Sequence, residues 1–167
     1  MGTHLQRILW FIFLVLLQVL VLNHVHIGQY ATPLLYVYFI LKIRSDATTT
    51  SLLLWGFALG ICIDLFSNTI GLNASALLWL ALLRKPLLRM NSKRDFNEIY
   101  TPSQKSMGFT GFLLYISIGT LLCSLPLHIV DNFSFFRFNE ILLQAVSSTV
   151  SSVVCILSLE AIKTEQV

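Results

Sequence analysis

Asp64 and Asp131 are the first residues to weigh for chemistry. Two aspartates brought together can share a proton, one serving as acid and the other as base, which is the arrangement of an aspartic protease. Each also has a structural explanation: Asp131 falls in an expected loop, and Asp64 can cap or bond the backbone freed at a turn over residues 67–71. His24, His26 and His128 suggest a metal site, but no carboxylate or cysteine stands at ligand spacing from them, and an H-x-H beside a membrane also reads as interfacial polarity. Cys62, Cys123 and Cys155 form no C-x-x-C and all fall in apolar stretches, so they read as small packing residues. No catalytic residue, cofactor or metal ligand is expected.

A sharper pattern is Gly56, Gly60 and Asp64, spaced by four in Trp55-Gly-Phe-Ala-Leu-Gly-Ile-Cys-Ile-Asp64. A helix lines these up on one stripe ending in a carboxylate. From Thr48 to Leu83 Asp64 is the only charge, and such an acid must face protein or water, because facing lipid is costly. The stripe, with Ser67, Asn68, Gly71 and Asn73 around the following turn, is the expected packing or partner surface.

The elements that must carry this surface are membrane helices. The chain of 167 residues is 56% hydrophobic and 11% charged, with a mean hydropathy of +0.77, whereas globular proteins are about a quarter charged. Its net charge of +3 lies beside apolar segments, where orientation and lipid contact account for it, and no nucleic acid is expected as a partner. The expected fold is all-α, one polytopic membrane domain over residues 1–167 with about six transmembrane helices near 7–25, 27–43, 48–66, 70–83, 107–127 and 140–162. The first apolar run lacks a small-x-small cleavage site and reads as an uncleaved span. The apolar stretch 48–83 would reach about 54 Å as one helix, so it must turn back, and Ser67-Asn68-Thr69-Ile70-Gly71 supplies the turn.

With the N-terminus inside, ten of the eleven basic residues fall on the cytoplasmic side and only Arg137 outside, as the positive-inside rule requires. Both termini are therefore expected in the cytoplasm. The basic loop, residues 84–106, carries Arg84, Lys85, Arg89, Lys93 and Arg94. It is either topogenic charge alone or an amphipathic stretch touching membrane lipids or a cytoplasmic partner. Phe133, Phe135, Phe136 and Phe138 form either an aromatic belt or a docking patch. Two further stripes, Gly111-Tyr115-Gly119-Cys123 and Ser147-Ser151-Cys155 with Ser148 and Ser152 beside it, suit close helix packing, and the bundle reads as compact rather than as a pore.

The order of these parts, and above all Gly56-Phe-Ala-Leu-Gly-Ile-Cys-Ile-Asp-Leu-Phe-Ser67 followed by Ile70-Gly-Leu-Asn-Ala74, resembles the bacterial rod shape-determining protein MreD family over most of the chain. The resemblance implies a non-enzymatic component of the cell-elongation machinery in the inner membrane. Its partners would be an MreC-like periplasmic scaffold, RodA with its elongation transpeptidase, and MreB filaments, reached directly or through these. That family is similar in fold to the substrate-binding components of vitamin ECF transporters, which makes a small-molecule-binding transporter component the first alternative, with Asp64, Asn68 and Asn73 lining a pocket. The second is an aspartic protease similar to lipoprotein signal peptidase, although Asp64-Leu65-Phe66 and Asp131-Asn132-Phe133 match neither motif of that family.

Overall fold

The computed structural model describes the backbone of residues 2–22, 32–69, 71–91, 99–132 and 138–165, and their side chains except those of 2–4, 6, 131, 132, 138 and 163–165. All the regular structure described is helical: α1 (Gly2–Leu20), α2 (Val37–Lys42), α3 (Thr49–Ser67), α4 (Leu72–Asn91), α5 (Gln104–Met107), α6 (Phe109–Asn132) and α7 (Phe138–Glu165). Among the described residues, three stretches are long and apolar enough to cross a membrane, Thr49–Ser67, Phe109–Val130 and Asn139–Ile162. The chain is thus an all-helical protein with the composition and helix lengths of a membrane protein.

The long helices follow one another as neighbours in the order α1, α3, α4, α6, α7. Thr48 starts α3 by accepting the Ser51 N–H through its hydroxyl, and Asn68 ends it with a left-handed backbone (φ 54°) whose N–H returns to the Asp64 carbonyl. Gly71 (φ 74°) then turns the chain into α4. The expected hairpin is present, and its close approach depends on the glycine stripe. A Cβ built on Gly60 would lie 2.3 Å from the Ala74 Cα, and one on Gly56 3.3 Å from the Leu77 carbonyl oxygen.

Three expected boundaries change. Residues 27–43 do not form a spanning helix: 32–36 are non-helical, and only the six residues of α2 follow. The reason is local, because Pro33 has no N–H to give a helix and disfavours α geometry at Thr32 before it. The basic loop does not begin at Arg84, since α4 continues through Pro86 to Asn91, and α5 adds one helical turn capped by Ser103. Finally, α6 runs on to Asn132, so the backbone of Asp131 belongs to its last turn rather than to a loop.

Residues 32–43 form a strap against the long helices. Leu34, Leu35, Tyr36, Val37, Tyr38, Phe39, Ile40, Leu41 and Ile43 are all buried. α2 packs on α1, α3, α4 and α6, and side chains of α7 reach the same strap. Phe39 joins Phe11 of α1 and Trp55 of α3 in a three-ring cluster with centroids 5.6–5.8 Å apart. Gly119 of α6 leaves room for Leu41, whose Cδ2 would lie 2.9 Å from an added Cβ. The Gly111-Tyr115-Gly119-Cys123 stripe therefore works as a packing face. Gly111 meets the Asn91 carbonyl, Gly119 meets Leu41 of the strap, and Tyr115 and Cys123 are fully buried.

The two hairpin glycines separate clearly as a test. Gly60→Ala forces backbone apart and is expected to cost about 1–3 kcal/mol. Gly56→Ala, facing a single carbonyl at 3.3 Å, is expected to change stability by well under half as much. SDS-titrated unfolding of both variants in mixed micelles checks the contrast.

Candidate functional site: the buried polar strap

In the hydrocarbon region non-helical backbone survives only where protein or enclosed water satisfies it. Residues 32–36 meet that requirement with side chains from two helices. Gln18 of α1 donates from Nε2 to the Pro33 carbonyl (3.0 Å) and accepts the Leu35 N–H at Oε1 (3.1 Å). On α7, Ser152 accepts the Leu34 N–H (2.7 Å) and Ser148 the Thr32 N–H (3.3 Å), while His128 of α6 shares a 3.1 Å hydrogen bond with Ser148. These bonding hydroxyls are the buried pair Ser148 and Ser152; the parallel row Ser147, Ser151 and Cys155 is half-buried. The strap lies over the first row, which is why that row turns inward.

Asp64 reaches the middle of the strap through Asn73. Its Oδ1 accepts the Asn73 N–H (3.0 Å), Asn73 Nδ2 (2.9 Å) and the Thr69 hydroxyl (2.7 Å), and its Oδ2 accepts the Ala74 N–H (3.0 Å). Asn73 and Ala74 are the second and third residues of α4, whose amides have no partner inside their own helix. The carboxylate thus does for α4 what an N-cap side chain does, but from the neighbouring helix, and its charge suits the positive end of the helix dipole. Asn73 continues the chain of bonds, accepting the Tyr36 hydroxyl at Oδ1 (2.7 Å).

The other end of the strap holds the charges. Glu160 of α7 is buried, accepts the Tyr38 hydroxyl, and is bound through both oxygens by Lys42 Nζ at 2.7 Å. Lys42 also lies 5.5 Å from the Tyr38 ring centre and 5.9 Å from that of Phe112. Arg84 of α4 reaches the C-terminal end of α2, donating from Nη2 to the Ile43 carbonyl and, at 3.4 Å, to that of Leu41. Tyr115 of α6 donates to the same Leu41 carbonyl at 3.1 Å.

The expected site residues fall into three groups. Gly56, Gly60, Asp64 and Asn73 form one buried surface, while Asn68 and Gly71 shape its turn with exposed side-chain positions and Ser67 sits half-buried beside them. Arg84 departs from the expected lipid or cytoplasmic contact: it is 0% exposed. Lys85 is half-buried and Arg89 exposed, at the surface as expected. Lys93, Arg94, His24, His26, Arg137 and the phenylalanines at 133, 135 and 136, together with the side chains of Asp131 and Phe138, lie outside the described residues. Among those that are described, no three His, Cys, Asp or Glu side chains converge as a metal site would require.

Gln18 and Glu160 were not among the expected site residues, and Ser152 was expected only as a helix-packing residue. A lone Gln inside the run Ile8–Leu22 and a lone acid in the run Ile141–Ile162 were the available signals.

Two variants probe the arrangement. Asp64→Ala orphans two amides of α4 and is expected to cost about 2–4 kcal/mol, with Asp64→Asn, which keeps an acceptor, losing less. Gln18→Leu is expected to cost about 1–3 kcal/mol and to raise hydrogen exchange selectively at the amides near Leu35, read by mass spectrometry in micelles.

The chain matches no family model, no curated protein and no solved structure.

Proposed function

We propose that this chain is a non-enzymatic scaffold of the bacterial inner membrane, acting in the cell-elongation complex as a member of the MreD type. The observation that carries this reading is the placement of its own strap among the long helices. A binding component of a transporter needs a central space for its ligand, whereas here residues 32–43 lie there and draw hydrogen bonds from α1, α4, α6 and α7. Asp64 and Asn73, the residues a ligand pocket would use, are engaged with one another and with the start of α4. The outer surface is what remains for recognition. It is apolar, with Leu54 and Phe57 exposed on α3, Trp79 and Leu82 on α4, and Val146, Val150 and Val154 on α7.

In this reading the chain passes the membrane six times with both termini in the cytoplasm, the second passage being made by the strap and α2. Its helices hold an MreC-like scaffold and RodA with its transpeptidase, and through them MreB filaments. The contacts are helix to helix, carried by van der Waals packing on rigid faces rather than by a reacting group. Rigidity is what the buried bonds supply.

Co-purification of the tagged chain in mild detergent tests the proposal. Recovery of MreC or RodA with the wild type, reduced at least severalfold by Asp64→Ala while insertion is retained, is the expected outcome. Recovery of a transporter ATPase pair or a bound small molecule would put the transporter reading in its place, and cleavage of a prolipoprotein by the purified chain would put the protease reading there. Unchanged partner recovery and cell shape in Asp64→Ala would reduce the Gly56-Gly60-Asp64 stripe to internal packing.

A further inference from the structure

Arg84 presents a problem of charge that the fold leaves open. Its side chain is 0% exposed, and a guanidinium stays protonated in any protein environment. Among the described residues no carboxylate pairs with it, and Glu160, the buried acid bonded to the same strap, gives both oxygens to Lys42. Only Nη2 has acceptors, the carbonyls of Ile43 and Leu41. Nε and Nη1 are buried with no hydrogen-bond partner. Carbonyl dipoles stabilise a cation partially, but an uncompensated charge inside a low-dielectric bundle remains costly.

The other charges at this end of the strap are already paired, Lys42 with Glu160 and Arg44 with Asp46. Lys85 and Arg89 follow Arg84 on α4, half-buried and exposed. The cover over this region is made of coil on both sides. Ser45 and Tyr100 hold residues 43–48 to residues 99–103 through the Ser45 N–H to the Tyr100 carbonyl (2.9 Å) and the Tyr100 N–H to the Ser45 hydroxyl (3.1 Å). Arg84 bonds the carbonyl of Ile43, the first residue of this cover, and shares the Leu41 carbonyl with Tyr115, so the cover and the buried guanidinium belong to one neighbourhood.

The geometry points to Arg84 as an oxyanion-binding residue, its free Nε and Nη1 hydrogens taking a phosphate group that reaches it beneath the coil segments 43–48 and 99–103. The phosphate is either free inorganic phosphate or the phosphodiester of an anionic lipid headgroup. In both cases a planar guanidinium is the donor suited to it, and binding removes the uncompensated charge. This site is independent of the scaffold reading, since it concerns what completes the interior rather than what docks outside.

The test is thermal unfolding of the full chain, stripped of lipid in detergent, with added inorganic phosphate, phosphatidylglycerol or phosphatidylcholine at constant ionic strength in chloride. A midpoint rise of roughly 5–10 °C at a hundredfold excess over Kd is expected. Rise with both phosphate and phosphatidylglycerol identifies a free-anion site, and rise with phosphatidylglycerol alone identifies a headgroup site. No rise beyond the chloride and phosphatidylcholine controls overturns the proposal. The rise should vanish in Arg84→Met and persist when Lys85 and Arg89 are both replaced by alanine. Because Arg84→Met can fail to fold, the double variant stands as an independent check: loss of the rise there assigns the binding to surface charge and overturns the proposal as well.

Discussion

Backbone that is not helical cannot sit within a membrane bundle unless every N–H and C=O finds a partner in protein or enclosed water. That single requirement accounts for most of the specific polar chemistry in this protein. Residues 32–36 break helical geometry at Pro33, and the bundle answers with Gln18, Ser148 and Ser152, each placed on a different turn of its helix so as to meet successive positions of the strap. Further along the strap, Asn73, itself held by Asp64, accepts the Tyr36 hydroxyl, while Glu160, Lys42 and Arg84 gather around Tyr38 and the end of α2. The strap runs parallel to α7, from Ser148 at one end to Glu160 at the other, about 18 Å along that helix.

The hairpin of α3 and α4 solves a different problem by the same economy of means. Two helices can approach until backbone meets backbone only where one lacks a Cβ, and Gly60 against Ala74 is that point. Close approach brings the end of α3 beside the start of α4, where amides wait without partners. Asp64 is on the same face as the glycines and one turn further on, so the stripe that permits the contact also delivers the cap. Packing and polar satisfaction are here one arrangement.

The hairpin was legible in the sequence because its determinants are local: a four-residue spacing, a lone acid, and an Asn–Gly turn, all within Gly56–Ala74. The ends of α3 were legible for the same reason. The strap was not, since hydropathy over residues 27–43 resembles that of a short span and nothing within that window reports the serines that hold it, 116 and 118 residues away. Pro33 was visible but a proline near the start of a helix is ordinary. Arg84 misled for a related reason. Beside Lys85 and Arg89 it reads as part of a basic loop, whereas α4 continues through it and its position on the helix turns it inward while Arg89 stays outside. Charge composition reported a neighbourhood; helical phase decided the side.

The distance in sequence between the strap and its serines has a consequence for how the molecule is made. At about 5–20 residues per second, roughly 6–24 s separate synthesis of Leu34 from synthesis of Ser152. The α3–α4 hairpin, whose bonds join residues 5–10 apart, closes well within that interval. Through it the amides of Thr32 and Leu34 have no native partner, so the nascent chain must rest against the insertion machinery, or keep those residues in water, until α7 arrives. Chains ending short of α7 therefore carry the strap without the two hydroxyls that hold its first amides.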